Sequence, residues 1–337
     1  MKNISLFLLI SNFCVAQTTY KIENFSKLIH ATVTIPNESQ DEVFKQGTIK
    51  VFDSKTKKKI IEIESPELTF DLNKNNKIKT NVHELPYGAQ SLLIYEDFNF
   101  DNNPDLAVMF GQESCYHGPS YSIYLYNKGK FVYDDGFTGL ATENCGMFQV
   151  NHKLKTIHTM TKSGCCWHLD TTYKIVNNNP VEIETVEMDH QRYPFVYTTT
   201  TTFNNKKTKA VTIQEIAFDQ MPVKELFSFQ LQKNNKKVVF FDDGENNLYY
   251  ALLRQNETVE FNYPIKNTTE NNPFVIDASL KTITFSNQDT SYKIYQTINT
   301  VGIIINHKNE IIDLKGDVST IKGNFQDLFV TPFNNVK

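Results

Sequence analysis

Between Tyr95 and Val108 the chain reads "YEDFNFDNNPDLAV". Asp97, Asn99, Asp101, Asn103 and Asp105 take alternate positions, and apolar residues resume at once. Carboxylates this close repel one another, so a cation or solvent must offset the repulsion. Ca²⁺ is a hard cation that accepts carboxylate, amide and backbone oxygens in flexible geometry. The order D-x-N-x-D-x-x-x-D matches the first nine positions of an EF-hand loop. Asn102 stands where that loop has Gly, and Asn is among the non-Gly residues that best tolerate a positive φ. No Glu fills the twelfth position, so the loop is not a complete EF-hand. The expectation is a structural Ca²⁺ site on these five residues, with a backbone carbonyl near Asn103. The competing expectation is a solvated Asn/Asp turn.

The cysteines form a second constellation. The N-terminus, "MKNISLFLLISNFCVAQTTY", has one Lys, a short apolar run and small residues near Ala16. This predicts a cleavable signal peptide over residues 1–17, and export to the periplasm or beyond. A lipoprotein signal with Cys14 as the acylated residue is the alternative. Export leaves Cys115, Cys145, Cys165 and Cys166, an even number that favours disulfides. A bond between the adjacent Cys165 and Cys166 is discounted as strained. Either remaining pairing ties "SGCCWH" to both "ESCYHG" and "NCGMF". A zinc site from the same residues lacks a C-x-x-C pair.

These groups must be positioned by strands. The chain has 337 residues, 40% hydrophobic and 12% aromatic, with a net charge of −4. That length predicts two or three domains, and the absence of a basic face argues against nucleic acid. No segment after the signal is apolar enough to span a membrane. Residues 18–45 suggest one helix, "IENFSKLIHA". From Gln46 to Gln191, alternating apolar and polar runs joined by turns such as "NKGK" predict an antiparallel meander. "TTTTTF" and "NNKKTK" mark an expected boundary, and "AVTIQEIAFDQMPVKELFSF" reads as partly helical. Residues 196–337 then return to strands. The fold expected is mostly β with few helices. It has a sandwich, barrel-like or propeller-like middle module at 46–191 and a second β-rich module at 196–337.

"IYEDFNFDNNPDLAV", "GPSYSIYLYNKGKF" and "SGCCWH...TYKIVNNNPVEI" together resemble a family of bacterial periplasmic β proteins. That family includes immunity proteins against secreted peptidoglycan-cleaving effectors, with a fold similar to periplasmic lysozyme inhibitors. The resemblance covers about residues 46–191, and its acidic pattern has Gly where this chain has Asn102. It implies a protein that plugs an enzyme's cleft with a rigid loop. "CYHGPSY" fits that description, with Tyr116, His117, Ser120 and Tyr121 as partner-binding residues. The implied partner is a toxin or lysozyme-like peptidoglycan hydrolase, with peptidoglycan itself a further candidate.

Catalysis is not expected. His117 and His168 with Asp170 would suggest a hydrolase if disulfides drew them together, but G-x-S-x-G and H-E-x-x-H are missing. Glu96 with Asp97, and Asp242 with Asp243, are adjacent residues that face opposite ways on a strand. The functional expectation is a non-enzymatic exported inhibitor or immunity protein. The alternative is a calcium-binding glycan-binding or surface-structural protein of the envelope.

Overall fold

A computed structural model describes residues 16–22, 26–81, 91–204, 207–219, 222–265 and 274–337. The expected signal, including Cys14, lies almost wholly outside these residues. The chain is mostly β, as its composition predicts. It divides into two compact units. The first holds residues 1–163, 168–185 and 202–208; the second holds 164–167, 186–201 and 209–337.

The first unit holds two complete sheets and part of a third. One has the order β4-β3-β2-β1-β5, from β1 (Gln17–Ile22), β2 (Ile29–Pro36), β3 (Lys45–Asp53), β4 (Lys59–Leu68) and β5 (Lys77–Ile78). Its pairs are antiparallel except β1 with β5. The other has the order β6-β7-β8-β9, from β6 (Leu93–Glu96), β7 (Asp105–Ser114), β8 (Gly118–Asn127) and β9 (Lys130–Tyr133). Strict alternation in "HATVTIP" buries Ala31, Val33 and Ile35 on one face of β2. These join Ile49, Leu93, Leu106, Val108 and Ile123 in one core shared by both sheets. Each such side chain contributes about 1.5–3 kcal/mol on burial. Helix α1 (Asp135–Thr142) caps itself, Asp134 accepting the Phe137 amide at 2.9 Å. It buries Phe137 and Ala141 against β8.

A third sheet has the order β10-β11-β12-β13-β14-β15. Its strands are β10 (Gln149–Asn151), β11 (Thr156–Ser163), β12 (Trp167–Val176), β13 (Asn179–Asp189), β14 (Phe195–Asn204) and β15 (Lys207–Ile216).

The second unit is a curled half-barrel of nine strands, ordered β19-β18-β17-β16-β24-β23-β22-β21-β20. They are β16 (Lys224–Leu231), β17 (Lys237–Asp242), β18 (Leu248–Leu253), β19 (Val259–Tyr263), β20 (Val275–Asp277), β21 (Thr282–Asn287), β22 (Thr290–Gln296), β23 (Val301–His307) and β24 (Glu310–Gly323). A one-turn helix, α2 (Asp327–Val330), follows. In β17, "VVFF" is buried on both faces: Val238 and Phe240 enter one core, Val239 and Phe241 another. The long β24 joins the two halves of the sheet. Its first part pairs with β23 and its last part with β16.

Three local expectations are corrected. "IENFSKLIHA" is not a helix: described residues on either side belong to β1 and β2, so residues 18–45 are integral to the first sheet. "AVTIQEIAFDQMPVKELFSF" forms β15 and β16, because Val, Thr, Ile and Phe pack better on a pleated surface than on a helix. The Thr run is the body of β14, β-branched residues being stiff in extended backbone, and the chain crosses from the second unit to the first within it, between Thr201 and Thr202. Finally, a single cut near residue 191 does not separate the units, since the chain passes between them several times.

Candidate functional site: the acidic loop and the Tyr116–His117 tip

The acidic loop is the connection from β6 to β7. Glu96 and Asp105 are opposite one another in register, so the loop must reverse within eight residues. Phe98 anchors it: the ring is fully buried and meets Phe148 edge-on at 5.3 Å. Phe100 and Asn102 have φ of 63° and 72°, so Asn102 meets the requirement that Gly meets in the family pattern. Asp97 accepts the amides of Asp101 and Asn102 at 3.1 and 2.9 Å, and Asn99 Oδ1 accepts the same Asp101 amide at 3.1 Å. Asp101 Oδ1 accepts the backbone and side-chain amides of Asn103. The oxygens of Asp97 and Asn99 thus converge on one point, while the Asn103 side chain is turned to donate.

Asp105 is different. It is fully buried, and its two oxygens accept the amides of Phe98 and Tyr126, each at 2.8 Å. Burial pushes its pKa up to about 7; the two hydrogen bonds pull the other way, and Asp101 and Asp97 add repulsion. Asp97, Asn99 and Asp101 carry oxygen donors on one loop, the donor type a hard cation takes, beside a buried carboxylate whose repulsion a cation would relieve. Asp105 doubles as the clamp that ties the loop to β8. At the edge of the loop His152 Nε2 lies 2.8 Å from Glu96 Oε1.

The second feature is the turn from β7 to β8. Cys115–His117 form a single 3-10 turn in which Tyr116 and His117 both have left-handed backbone, φ 57° and 58°. Two successive non-Gly residues in that region cost on the order of 1–3 kcal/mol each, so the surroundings must hold them. Cys115 is bonded to the buried Cys145, whose amide donates to Met160 O at 2.8 Å. Ser114 Oγ accepts the Gly146 amide at 3.1 Å. The Tyr116 ring is 51% exposed, with Lys162 Nζ 4.8 Å from its centre, and His117 is exposed.

The structure thus separates residues that the sequence groups together. Tyr116 and His117 are presented to solvent. Ser120 and Tyr121 are buried within β8, at 0% and 1% exposure, where the Tyr121 phenol meets the backbone of Ser91. β8 is buried on both faces along this stretch, so Ser120 and Tyr121, which point opposite ways, are both interior and are corrected from partner-binding to structural residues. The disulfide pairing is corrected as well. The bonds are Cys115–Cys145 and the adjacent Cys165–Cys166, the pairing discounted above. The bond between neighbours, discounted as strained, is made within the turn Gly164–Cys166 between β11 and β12, where the strand alternation assumed for the other pairings does not apply. No disulfide therefore draws the His117 and His168 loops together. The Trp167 indole nitrogen donates to Glu187 at 2.7 Å. Among the described residues no group of three or more His, Cys, Asp or Glu side chains is placed to hold a metal, so any cation here depends on Asn99 as well as carboxylates.

No family model matches the sequence, and neither does any curated protein. Among solved structures, a Xanthomonas protein related to a type IV secretion system is similar over 59% of this chain and 94% of its own, at 21% identity and TM-score 0.46. A pair of prolyl endopeptidases is represented by a match over 92% of this chain and 43% of that one, at 7% identity and TM-score 0.25. A 6-phosphogluconolactonase-like protein from Bacteroides uniformis matches over 87% and 83%, at 9% identity and TM-score 0.22. At these scores the likenesses carry no argument about activity.

Proposed function

We propose that this chain is an exported, non-enzymatic binding protein that inhibits a peptidoglycan-cleaving enzyme by inserting its Tyr116–His117 tip into that enzyme's cleft. The observation that carries this reading is the tip itself. It holds two exposed polar-tipped rings on left-handed backbone, and Cys115–Cys145 fastens its base to a buried residue. A loop ordered in advance loses little entropy on binding. Tyr and His offer a hydroxyl and an imidazole that hydrogen-bond to catalytic carboxylates. The resemblance around "DFNFDNNPDLA" and "GPSYSIYLY" implies the same class of partner. A cross-linked chain also suits an oxidising compartment. No helix among the described residues is long and apolar enough to cross a membrane. Ca²⁺ on Asp97, Asn99 and Asp101 serves this reading as a structural group that stiffens the β6–β7 connection.

The test is inhibition of lysozyme and of a set of secreted glycosidases and amidases that digest purified peptidoglycan. Inhibition of one of these enzymes, weakened roughly 30-fold by Tyr116→Ala plus His117→Ala at unchanged melting temperature, is the expected outcome, since hot-spot truncation costs about 2 kcal/mol or more. Tight binding to peptidoglycan without inhibition of any enzyme would instead favour the glycan-binding alternative.

A further inference from the structure

A cavity of about 580 Å³ opens in the first unit, a volume in the range of small-molecule sites. Tyr95 of β6, Tyr126 of β8, Phe131 of β9 and Ile60 of β4 give it apolar walls. The Tyr126 and Phe131 rings meet edge-on at 5.2 Å, so an apolar corner is already formed. The Tyr95 hydroxyl is engaged with Ser26. Lys27 and Lys55 line it and are exposed; among the described residues neither ammonium makes a hydrogen bond or a close ion pair, and the Lys55 charge acts on Asp53 from a distance. The rim carboxylate, Asp53, is turned into its own loop. It accepts the Lys55 amide, the Thr56 amide and the Thr56 hydroxyl at 2.9, 2.6 and 2.9 Å, and these bonds hold its pKa below the ordinary value. The acidic loop contributes Asn103 and Pro104 to the lining, while the Asp101 carboxylate points back to Asn103.

Aromatic walls take a flat ring, and the two exposed ammoniums in the lining, neither in a close ion pair, take a negative charge. We infer that this cavity binds a ring-bearing anion: an aromatic ring or a pyranose carrying a carboxylate or sulfonate group. The site is independent of the inhibitory tip. Gly118 and Tyr126 are at opposite ends of β8, about 27 Å apart at the usual rise of a strand.

Matched probes test it. The fluorescent arene sulfonate 8-anilinonaphthalene-1-sulfonate is titrated against the full chain alongside its uncharged analogue N-phenyl-1-naphthylamine. The variants are Lys27→Ala plus Lys55→Ala, and separately Tyr116→Ala. The expected result is one sulfonate bound per chain, at least tenfold more weakly by the double-lysine variant and unchanged by Tyr116→Ala. The neutral analogue binds both lysine forms alike. Displacement of the dye by glucuronate but not glucose assigns a pyranose. Displacement by benzoate but not by glucuronate assigns an arene. Equal affinity of the double-lysine variant for the sulfonate, or no stoichiometric binding by the parent chain, overturns the inference. Neither outcome bears on enzyme inhibition.

Discussion

Asp105 shows how a single residue can carry two conflicting demands. Its carboxylate ties the acidic loop to β8, yet burial and the neighbouring Asp97 and Asp101 oppose its ionisation. A folded pKa near 7, above the unfolded value, means the folded state holds its proton more tightly. Without metal, the resulting stability is fully present below about pH 4 and lost as pH rises through about 7. Melting temperatures in chelator should therefore fall between pH 5 and pH 8. Asp105→Asn should flatten that slope while costing about 1–3 kcal/mol, because one amide then faces an NH₂ group instead of an acceptor. A steep slope retained in the variant would show that other groups set it. Calcium should raise the melting temperature of the parent chain at pH 8, and Asp101→Ala should remove the rise. Identical melting curves in calcium and in chelator would rule out the metal.

At the scale of elements, the tip and the half-barrel depend on different constraints. Cys115–Cys145 closes a segment with a sequence separation of 30, so its removal should cost roughly 3–4 kcal/mol in the first unit. Native-state hydrogen exchange on Cys115→Ser plus Cys145→Ser should show faster exchange in β7 and β8 and little change in β16–β18. In the second unit, β24 must pass close to its neighbours. A Cβ on Gly316 would lie 2.7 Å from Val301 Cγ1 and against the Phe229 ring. Gly323 has φ 75°, and a Cβ there would press on the Leu226 carbonyl. Gly323→Ala should thus cost more than an ordinary overpacking change of about 1–3 kcal/mol, measurable by denaturant unfolding. A loss below 0.5 kcal/mol would mean that the last turn of β24 shifts freely.

On the scale of the whole molecule, each unit has its own core, and the two disulfides are confined one to each unit. Mass spectrometry of the unreduced, exported protein should show a peptide pair joining Cys115 to Cys145. A single peptide should hold Cys165 bonded to Cys166. A cross-link between the 165–166 turn and either other cysteine would contradict the fold. The long-range pairing of β16 with β24 crosses some 90 residues, so refolding should be slow, as expected where non-local contacts dominate.

Alternation and turn chemistry were legible directly in the sequence. "VVFF", "NKGK" and the alternating runs after Gln46 specify strands and hairpins because side-chain period and backbone dihedrals are local properties. The acidic loop was legible for the same reason, since its Asx contacts reach only a few residues along the chain. What remained hidden was decided by distant partners. The segment that holds the end of β1 and the start of β2 reads as a helix until the sheet supplies its neighbours, and "AVTIQEIAF" carries a helical period that strand pairing overrides. Tyr121 and His117 sit four residues apart in one motif, yet one is core and the other surface. Burial depends on what packs across the sheet, and no local pattern encodes that. The cysteines make the same point: their number and chemistry predict oxidation, but which sulfurs meet depends on where the turn at Gly164 places them.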